Sequence, residues 1–176
     1  MWEYRKLEEA QICRELFGHF ERRQEVNRVL RRQDGEWVVR EEPFIDQWSE
    51  EDYGTLVGCL KNTIRTGGYV CGAFEEGVLK GFVSVESDFF GSEGQYLDLT
   101  SLHVSADRRK KGKGRILFLL AAGWAKERGA KKLYISSHSA VETQAFYCRL
   151  GCLDAEETKR EHVEAEPCDR QLEYVL

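Results

Sequence analysis

Residues 108–129 read RRKKGKGRILFLLAAGWAKERG, a basic loop that runs directly into a long apolar segment. Six of the eight residues from Arg108 to Arg115 are cationic. The free N–H groups and the partial positive charge of a helix N-terminus suit an anion, and Gly112 and Gly114 have no Cβ to keep one away. The residues alone leave two interpretations open, a phosphate-binding loop or a solvated basic turn before a buried helix.

Two common nucleotide-binding motifs do not fit this loop. The chain contains no GxxxxGK[ST] string, and the dinucleotide fingerprint needs three spaced glycines where GKG supplies two. The formal net charge of −5 argues against general nucleic-acid binding, which favours a basic domain. We therefore expect no nucleic-acid partner.

The composition predicts one soluble domain spanning residues 1–176, since 41% of the residues are hydrophobic and 32% are charged. No apolar stretch is long enough to cross a bilayer, and the charged N-terminus does not resemble a secretion signal. We expect a cytoplasmic protein with no membrane partner and six reduced cysteines. The spacing of Cys148, Cys152, His162 and Cys168 matches no standard zinc pattern, so we expect no metal.

The N-terminal third is predicted to be mainly helical. WEYRKL (residues 2–7) alternates as a short strand, and residues 8–33 carry apolar side chains at helical spacing. Asp34-Gly35 indicates a turn, and residues 36–44 are ambiguous between strand and loop. Residues 49–68 are predicted as a helix that Ser49 and Asp52 cap and that Gly67-Gly68 ends.

From residue 69 the pattern changes to period two, which predicts three strands at 69–74, 78–87 and 95–104. Glu75-Glu76-Gly77 has the length of a hairpin link between the first two. After the basic loop and its helix come a strand (131–138), a helix (139–151) and two final strands (152–157 and 170–176). Since a strand–helix–strand unit implies a parallel crossover, we predict an α/β (α+β) fold with a mixed central sheet of about six to seven strands flanked by helices.

Two motifs in this order resemble a known family. Arg109 to Gly114 matches [RQ]-x-x-G-x-[GA], the acetyl-CoA pyrophosphate signature of the GNAT N-acetyltransferases, and residues 102–104 (LHV) look like the end of the strand that precedes it. ETQAFYCRLGC (142–152) is similar to the family's later A-x-FY-x-x-x-GF helix. The resemblance covers residues 69–157 and implies the GNAT fold, acetyl-CoA as co-substrate and N-acetyltransferase activity.

The resemblance also implies which residues bind the co-substrate. The backbone of residues 102–104 would pair with the pantetheine arm, and the N–H groups from Lys110 to Arg115 would hold the pyrophosphate. Ala140 stands where many members have Asn, and Ser139 is the candidate substitute; Lys110 and Lys113 make the loop unusually cationic. The candidate acetyl-CoA-binding residues are Leu102, His103, Val104, Arg109, Lys110, Lys111, Gly112, Lys113, Gly114, Arg115 and Ser139.

Tyr147 occupies the position at which the family uses a tyrosine to protonate the CoA thiolate; the alternative is an aromatic core residue. Asp98 lies where histone-acetylating relatives carry a glutamate base, and it is equally explained as a solvent-facing strand residue. Glu86 on the neighbouring strand is the second candidate base. The candidate catalytic residues are therefore Tyr147, Asp98 and Glu86. Cys148 has no paired His, which favours direct transfer over an acyl-cysteine.

The acceptor is predicted from charge. Residues 34–52 hold eight acidic residues and one Arg, and residues 154–166 hold six acidic and two basic residues. If both segments line the acceptor's entrance, they favour a cationic primary amine, from a small molecule or a protein; the alternative is a solvated acidic face. A catalytically silent acyl-CoA-binding module is the alternative function, and homodimer formation stays open.

Overall fold

The computed structural model describes all residues, 1–176, and contains a seven-stranded mixed sheet and a separate two-stranded hairpin. The strands are β1 (Trp2–Lys6), β2 (Arg23–Gln33), β3 (Glu36–Gln47), β4 (Tyr69–Glu75), β5 (Val78–Val85), β6 (Tyr96–Val104), β7 (Lys132–Ser137), β8 (Leu153–Asp154) and β9 (Arg170–Val175). The helices are α1 (Glu50–Arg65), α2 (Lys113–Glu127), α3 (Val141–Leu150) and α4 (Arg160–Ala165). The order in the large sheet is β1-β4-β5-β6-β7-β9-β8, which confirms the predicted mixed sheet.

The helix predicted over residues 8–33 is wrong. Short 3₁₀ turns occupy Glu9–Gln11 and Arg14–Phe17, and the rest is β2, which pairs with β3 as an antiparallel hairpin. Asp34 (φ 51°) and Gly35 (φ 80°) both have positive φ, which is the geometry of a two-residue type I′ hairpin turn. The ambiguous residues after this turn are therefore strand.

Helix α1 begins where the sequence predicts. The Ser49 side chain accepts a hydrogen bond from the Asp52 N–H at 3.2 Å, and the Asp52 carboxylate accepts one from the Ser49 N–H at 2.7 Å. This reciprocal pair is a capping box, which satisfies two donors at the helix start. Helix α4 was not predicted from the sequence.

The sheet splits between β6 and β7. They are its only parallel neighbours, and they pair only over residues 96–98 and 132–134. Beyond Asp98 the edge of β6 that faces β7 has no strand partner, although β5 continues to pair with its other edge as far as Val104. The strand ends therefore diverge and leave a cleft in the middle of the sheet.

Two hydrophobic cores cover the two faces of the sheet. The larger one holds the inner face of α2, including Leu117, Phe118 and Ala121, and the smaller one lies under α1 and the 3₁₀ turns. The apolar segment 116–125 predicts a helix buried under the sheet; α2 does pack there, although Ile116 and Leu119 are 38% and 40% exposed. Only one face of α2 packs on the sheet, as expected of a helix in an outer layer. None of the helices is both long and apolar enough to span a membrane.

Candidate active site

Two adjoining cavities fill the cleft between β6 and β7. The larger has a volume of about 900 Å³ and extends from residues 102–104 to the basic loop and α3. The smaller, about 220 Å³, lies among residues of β6, β7 and the loop before β9. Residues at the junction line both cavities: Arg22, Gln24, Leu102, His103, Thr143 and Tyr147.

The basic loop presents a row of free backbone donors to the larger cavity. Residues 110–115 make no intramolecular hydrogen bond through their backbone N–H groups, and the first paired N–H is that of Ile116, which donates to the Gly112 carbonyl at 3.3 Å. Lys110 (φ 64°) and Gly112 (φ 75°) both adopt the left-handed conformation that turns the chain here. Such a turn before a helix N-terminus forms a concave anion site.

The charges around the larger cavity suit a polyanion. Eight Arg or Lys residues line it against one carboxylate, that of Glu142. The cations are Arg22, Arg28, Arg108, Arg109, Lys110, Lys113, Arg115 and Arg149. Of the predicted loop residues, Lys111 is the one that does not line the cavity.

Two loop side chains are held by the protein itself. The Arg109 Nε donates to the Val104 carbonyl at 3.1 Å, and burial lowers the Arg109 pKa. The Lys113 Nζ lies 4.4 Å from the centre of the Trp2 ring. Gly114 lies close to Phe146 of α3, since a Cβ added there would be 3.3 Å from that ring. The loop is therefore anchored to β6, β1 and α3, which holds its backbone donors in place.

His103 belongs to an aromatic cluster. Its ring centre lies 4.8 Å from that of Trp48 and 5.4 Å from that of Phe82, on the face of β6 opposite the larger core. Burial, reinforced by the nearby positive charges of Arg22 and Arg109, lowers its pKa to about 3. His103 is therefore neutral at physiological pH and a weak proton acceptor.

Tyr147 of α3 lies at the junction of the two cavities and lines both. Only 7% of its surface is exposed, and its hydroxyl has no hydrogen-bond partner within the protein. Burial raises the Tyr147 pKa above its usual value, with smaller contributions from Cys152 and Asp169. The hydroxyl therefore keeps its proton at neutral pH and remains available to donate it.

The structure separates the two predicted bases from the cavities. Asp98 is 1% exposed and accepts hydrogen bonds from Lys159 Nζ at 3.1 Å and from His162 Nε2 at 2.6 Å. The Glu86 carboxylate accepts hydrogen bonds from the hydroxyls of Thr63 (2.6 Å) and Thr100 (3.2 Å). Neither Asp98 nor Glu86 lines either of these two cavities, and Asp98 is not the solvent-facing residue of the alternative interpretation.

Ser139 also lies outside both cavities. It is 5% exposed, its hydroxyl accepts a hydrogen bond from Arg31 Nη1 at 2.6 Å, and its carbonyl accepts one from the Leu30 N–H at 2.8 Å. The next residue, Ala140, bridges to Val29 of β2. In the structure these two residues join α3 to the hairpin.

Ion pairs engage six of the fourteen carboxylates in the two acidic segments. In the first, Glu42 pairs with Arg31, Asp46 with Arg22 and Glu50 with Arg14. In the second, Asp154 pairs with Arg170, Glu156 with Lys132 and Glu164 with Arg160. Neither cavity is lined by a carboxylate of these segments.

The sequence did not single out several residues that line the smaller cavity, namely Arg22, Gln24, His138 and Asp169. Arg22 and Gln24 lie at the start of the hairpin. The signal that could have indicated this hairpin is Asp34-Gly35, which is typical of a two-residue hairpin turn. No local pattern marks His138 or Asp169, because each lies in a loop next to a strand end. The structure contains no group of three or more His, Cys, Asp or Glu side chains arranged to hold a metal.

Comparison with known proteins gives a family match. The family model described as the acetyltransferase (GNAT) family matches residues 30–152, well over half of the chain. No functionally curated protein matches the sequence.

Solved acetyltransferases are similar over their whole length. A nourseothricin acetyltransferase is 20% identical with a TM-score of 0.67, covering 98% of this chain and 95% of its own. A provisionally assigned streptothricin acetyltransferase from Bacillus anthracis, in complex with acetyl-CoA, is 17% identical with a TM-score of 0.71, covering 100% and 98%. The PaiA N-acetyltransferase from Thermoplasma acidophilum, in complex with CoA, is 16% identical with a TM-score of 0.61, covering 100% and 99%. These likenesses establish a shared fold.

Proposed function

The chain belongs to the acetyltransferase (GNAT) family, and on that premise we propose that it transfers the acetyl group of acetyl-CoA directly to a primary amine. One observation carries the proposal. The basic loop, in which the N–H groups of residues 110–115 are free, borders a cationic cavity that extends from residues 102–104 of β6 to the unpaired hydroxyl of Tyr147. An anion site, an open strand edge and a proton donor thus lie along one cleft.

In this proposal acetyl-CoA occupies the larger cavity. The N–H groups of the basic loop bind the diphosphate, and the open edge of β6 at residues 102–104 pairs with the pantetheine arm. The acetyl group then lies toward the junction with the smaller cavity. Tyr147 donates its proton to the CoA sulfur as the C–S bond breaks. CoA then leaves as the thiol, whose pKa is about 8.5, and the neutral thiol is a better leaving group than the thiolate.

The acceptor is proposed at the level of a primary amine. The cationic acceptor predicted from the acidic segments stays a prediction, and no carboxylate of those segments lines either cavity. The names of the first two solved relatives make streptothricin-type antibiotics reasonable first candidates. A polyamine represents other small-molecule amines, and a lysine-containing peptide represents protein amines.

A catalytically silent CoA-binding module is the alternative function. Such a module requires the basic loop and the open edge of β6 to bind CoA. It does not require a proton donor at the junction of the two cavities. Tyr147 presents a hydroxyl without a protein partner to that junction, which favours catalysis.

Two measurements test the proposal in sequence. Isothermal titration with CoA and acetyl-CoA measures binding, and a thiol-release assay over a streptothricin, spermidine, a lysine peptide and simple alkylamines measures transfer. We expect binding of both CoA species and thiol release with at least one amine. Binding without release would favour the silent module, and no binding up to millimolar CoA would exclude both functions.

A further inference from the structure

Asp169 is the only carboxylate that lines the smaller cavity. We propose that the Asp169 carboxylate binds the ammonium group of the acceptor and takes one of its protons, so that the smaller cavity is the acceptor's binding site. This inference rests on the proposed function and adds to it a base that the sequence did not indicate.

Hydrogen bonds fix the position of this carboxylate. The Ser136 hydroxyl donates to Asp169 Oδ2 at 3.2 Å, and the Gln171 amide in turn donates to the Ser136 oxygen at 3.0 Å. The amide oxygen of Gln171 accepts a hydrogen bond from the Tyr134 hydroxyl. Tyr134, Ser136 and Gln171 lie on the adjacent strands β7 and β9, so the chain of bonds orients Asp169 from rigid structure.

The other proton acceptors near the cavity are less suitable. His103 has a pKa of about 3, and the Nδ1 of His138 already accepts a hydrogen bond from the Ala140 N–H at 3.1 Å. Because Nδ1 accepts this hydrogen bond, the ring proton of His138 lies on Nε2, which leaves no free lone pair in the ring plane. Asp98 and Glu86 do not line the cavity. Asp169 is left as the group with a free oxygen.

The electrostatic surroundings suit a base. Partial burial raises the Asp169 pKa above its usual value, and the neighbouring Glu166 carboxylate raises it further. The hydrogen bond from Ser136 lowers it, as do His138 across the cavity and His162 on α4. A carboxylate whose pKa is raised holds a transferred proton better than an ordinary aspartate does, yet it is ionised at neutral pH unless its pKa exceeds 7.

The proton balance of the reaction can then be written in full. The acceptor enters as R–NH₃⁺ and loses one proton to Asp169, and the neutral nitrogen forms the N–C bond with the thioester carbonyl. The C–S bond breaks and Tyr147 protonates the thiolate. The nitrogen then transfers its second proton to the Tyr147 phenolate, which restores the hydroxyl. Asp169 releases its proton to water. The products are R–NH–CO–CH₃, CoA–SH and H⁺, so atoms and charge balance.

Two CoA thioethers test the inference without knowledge of the acceptor. S-(2-aminoethyl)-CoA places an ammonium group beside the sulfur, and S-propyl-CoA replaces that group with a methyl of similar size. With wild-type protein we expect the amino compound to bind about ten-fold or more tightly near neutral pH, because a partly buried carboxylate pairs with the ammonium. In Asp169→Asn this preference should fall below about two-fold, with the affinity for CoA itself unchanged.

Glu164→Gln is the matched control, since it makes the same change on an exposed side chain of α4. It should keep the full preference for the amino compound, and Ser136→Ala should reduce that preference in part. No preference in the wild type, or an undiminished preference in Asp169→Asn, would overturn the inference while CoA binding still supports the proposed function. If neither thioether nor CoA binds, the proposed function fails and this inference fails with it.

Discussion

Tyr147 and Asp169 line the same cavity of about 220 Å³, one on α3 and the other in the loop before β9. Burial raises the pKa of each, and the charge of Asp169 contributes to the rise for Tyr147. The tyrosine is thereby kept protonated and the carboxylate is made more basic. An acid and a base with separated pKa values on one cavity are what acyl transfer from a thioester to an ammonium requires.

Tyr147→Phe should lower kcat by about 10²- to 10⁴-fold, the usual contribution of a positioned acid. The affinity for acetyl-CoA should change little, because Phe keeps the ring that packs against Phe118 and Phe146. Steady-state kinetics together with isothermal titration would separate the two effects. Tyr174→Phe is the control, since Tyr174 packs on Phe118 but lines neither cavity. Equal kcat values for the two variants would contradict the role of Tyr147.

Asp169→Asn should change the pH dependence of kcat/KM. Because the Asp169 pKa is raised, wild-type activity should fall as the pH falls through that value and the base becomes protonated. Asn cannot titrate, so the acidic limb of the profile should disappear. The rate should instead rise with the fraction of the acceptor amine that is unprotonated. The defect should be about 10²-fold near pH 7 and should shrink toward pH 10, where an amine of pKa about 10.4 loses its proton without help. A defect that is constant with pH would argue against proton transfer to Asp169.

Most of the fold could be predicted because the C-terminal two-thirds of the chain obeys local rules. The strands are rich in β-branched and aromatic residues, and glycines end the helices at Gly129 and Gly151. The hairpin was missed for a physical reason. The pairing register shifts between Val26 and Arg28, and the two buried residues of β2, Val26 and Val29, are three apart, which is also the spacing of a helix face.

The candidate site likewise contains some residues that local sequence motifs predict and others that only the tertiary structure brings together. The basic loop and Tyr147 are carried by contiguous motifs, and the structure places both in one cleft. Asp169 and His138 line the same cavity only through tertiary structure, since they are 31 positions apart in the sequence. The alternation of β6 shows which face of the strand Asp98 occupies. It does not show that His162 of α4 covers Asp98 or that Lys159 pairs with it. A partner from a distant, unpredicted helix cannot be seen in a local pattern.

Gly112→Ala should weaken CoA binding by about ten-fold. Gly112 has φ 75° and open space around its Cα, so an added methyl meets no clash but must adopt a left-handed conformation that costs about 1–2 kcal/mol. The loop can relieve this strain by turning its N–H groups away from the diphosphate. Gly123→Ala, in the exposed middle of α2, makes the same change at helical φ and should raise stability by up to about 1 kcal/mol. Titration calorimetry and urea unfolding would measure both, and equal CoA affinities would contradict the role given to Gly112.

His162→Gln should cost more stability at acidic pH than at alkaline pH. The hydrogen bond to Asp98 raises the pKa of His162 above its ordinary value of 6.5, so the folded protein holds this proton more tightly than the unfolded chain. The stabilisation is complete below pH 6.5 and is lost as the pH rises through the folded-state value. Urea unfolding of both proteins at about pH 6 and about pH 9 should show the difference in unfolding free energy shrinking at the higher pH.

The same substitution in an Asp98→Asn background identifies the partner in this pair. Without the Asp98 carboxylate, the pKa of His162 should return toward its ordinary value, and the cost of His162→Gln should become nearly the same at both pH values. The positive charge of Lys159 lowers the pKa of His162 and stays in place in both backgrounds, so it does not account for the contrast. A pH-dependent cost that survives Asp98→Asn would assign the stabilisation to another partner of His162, such as the Tyr134 ring stacked 6.0 Å away.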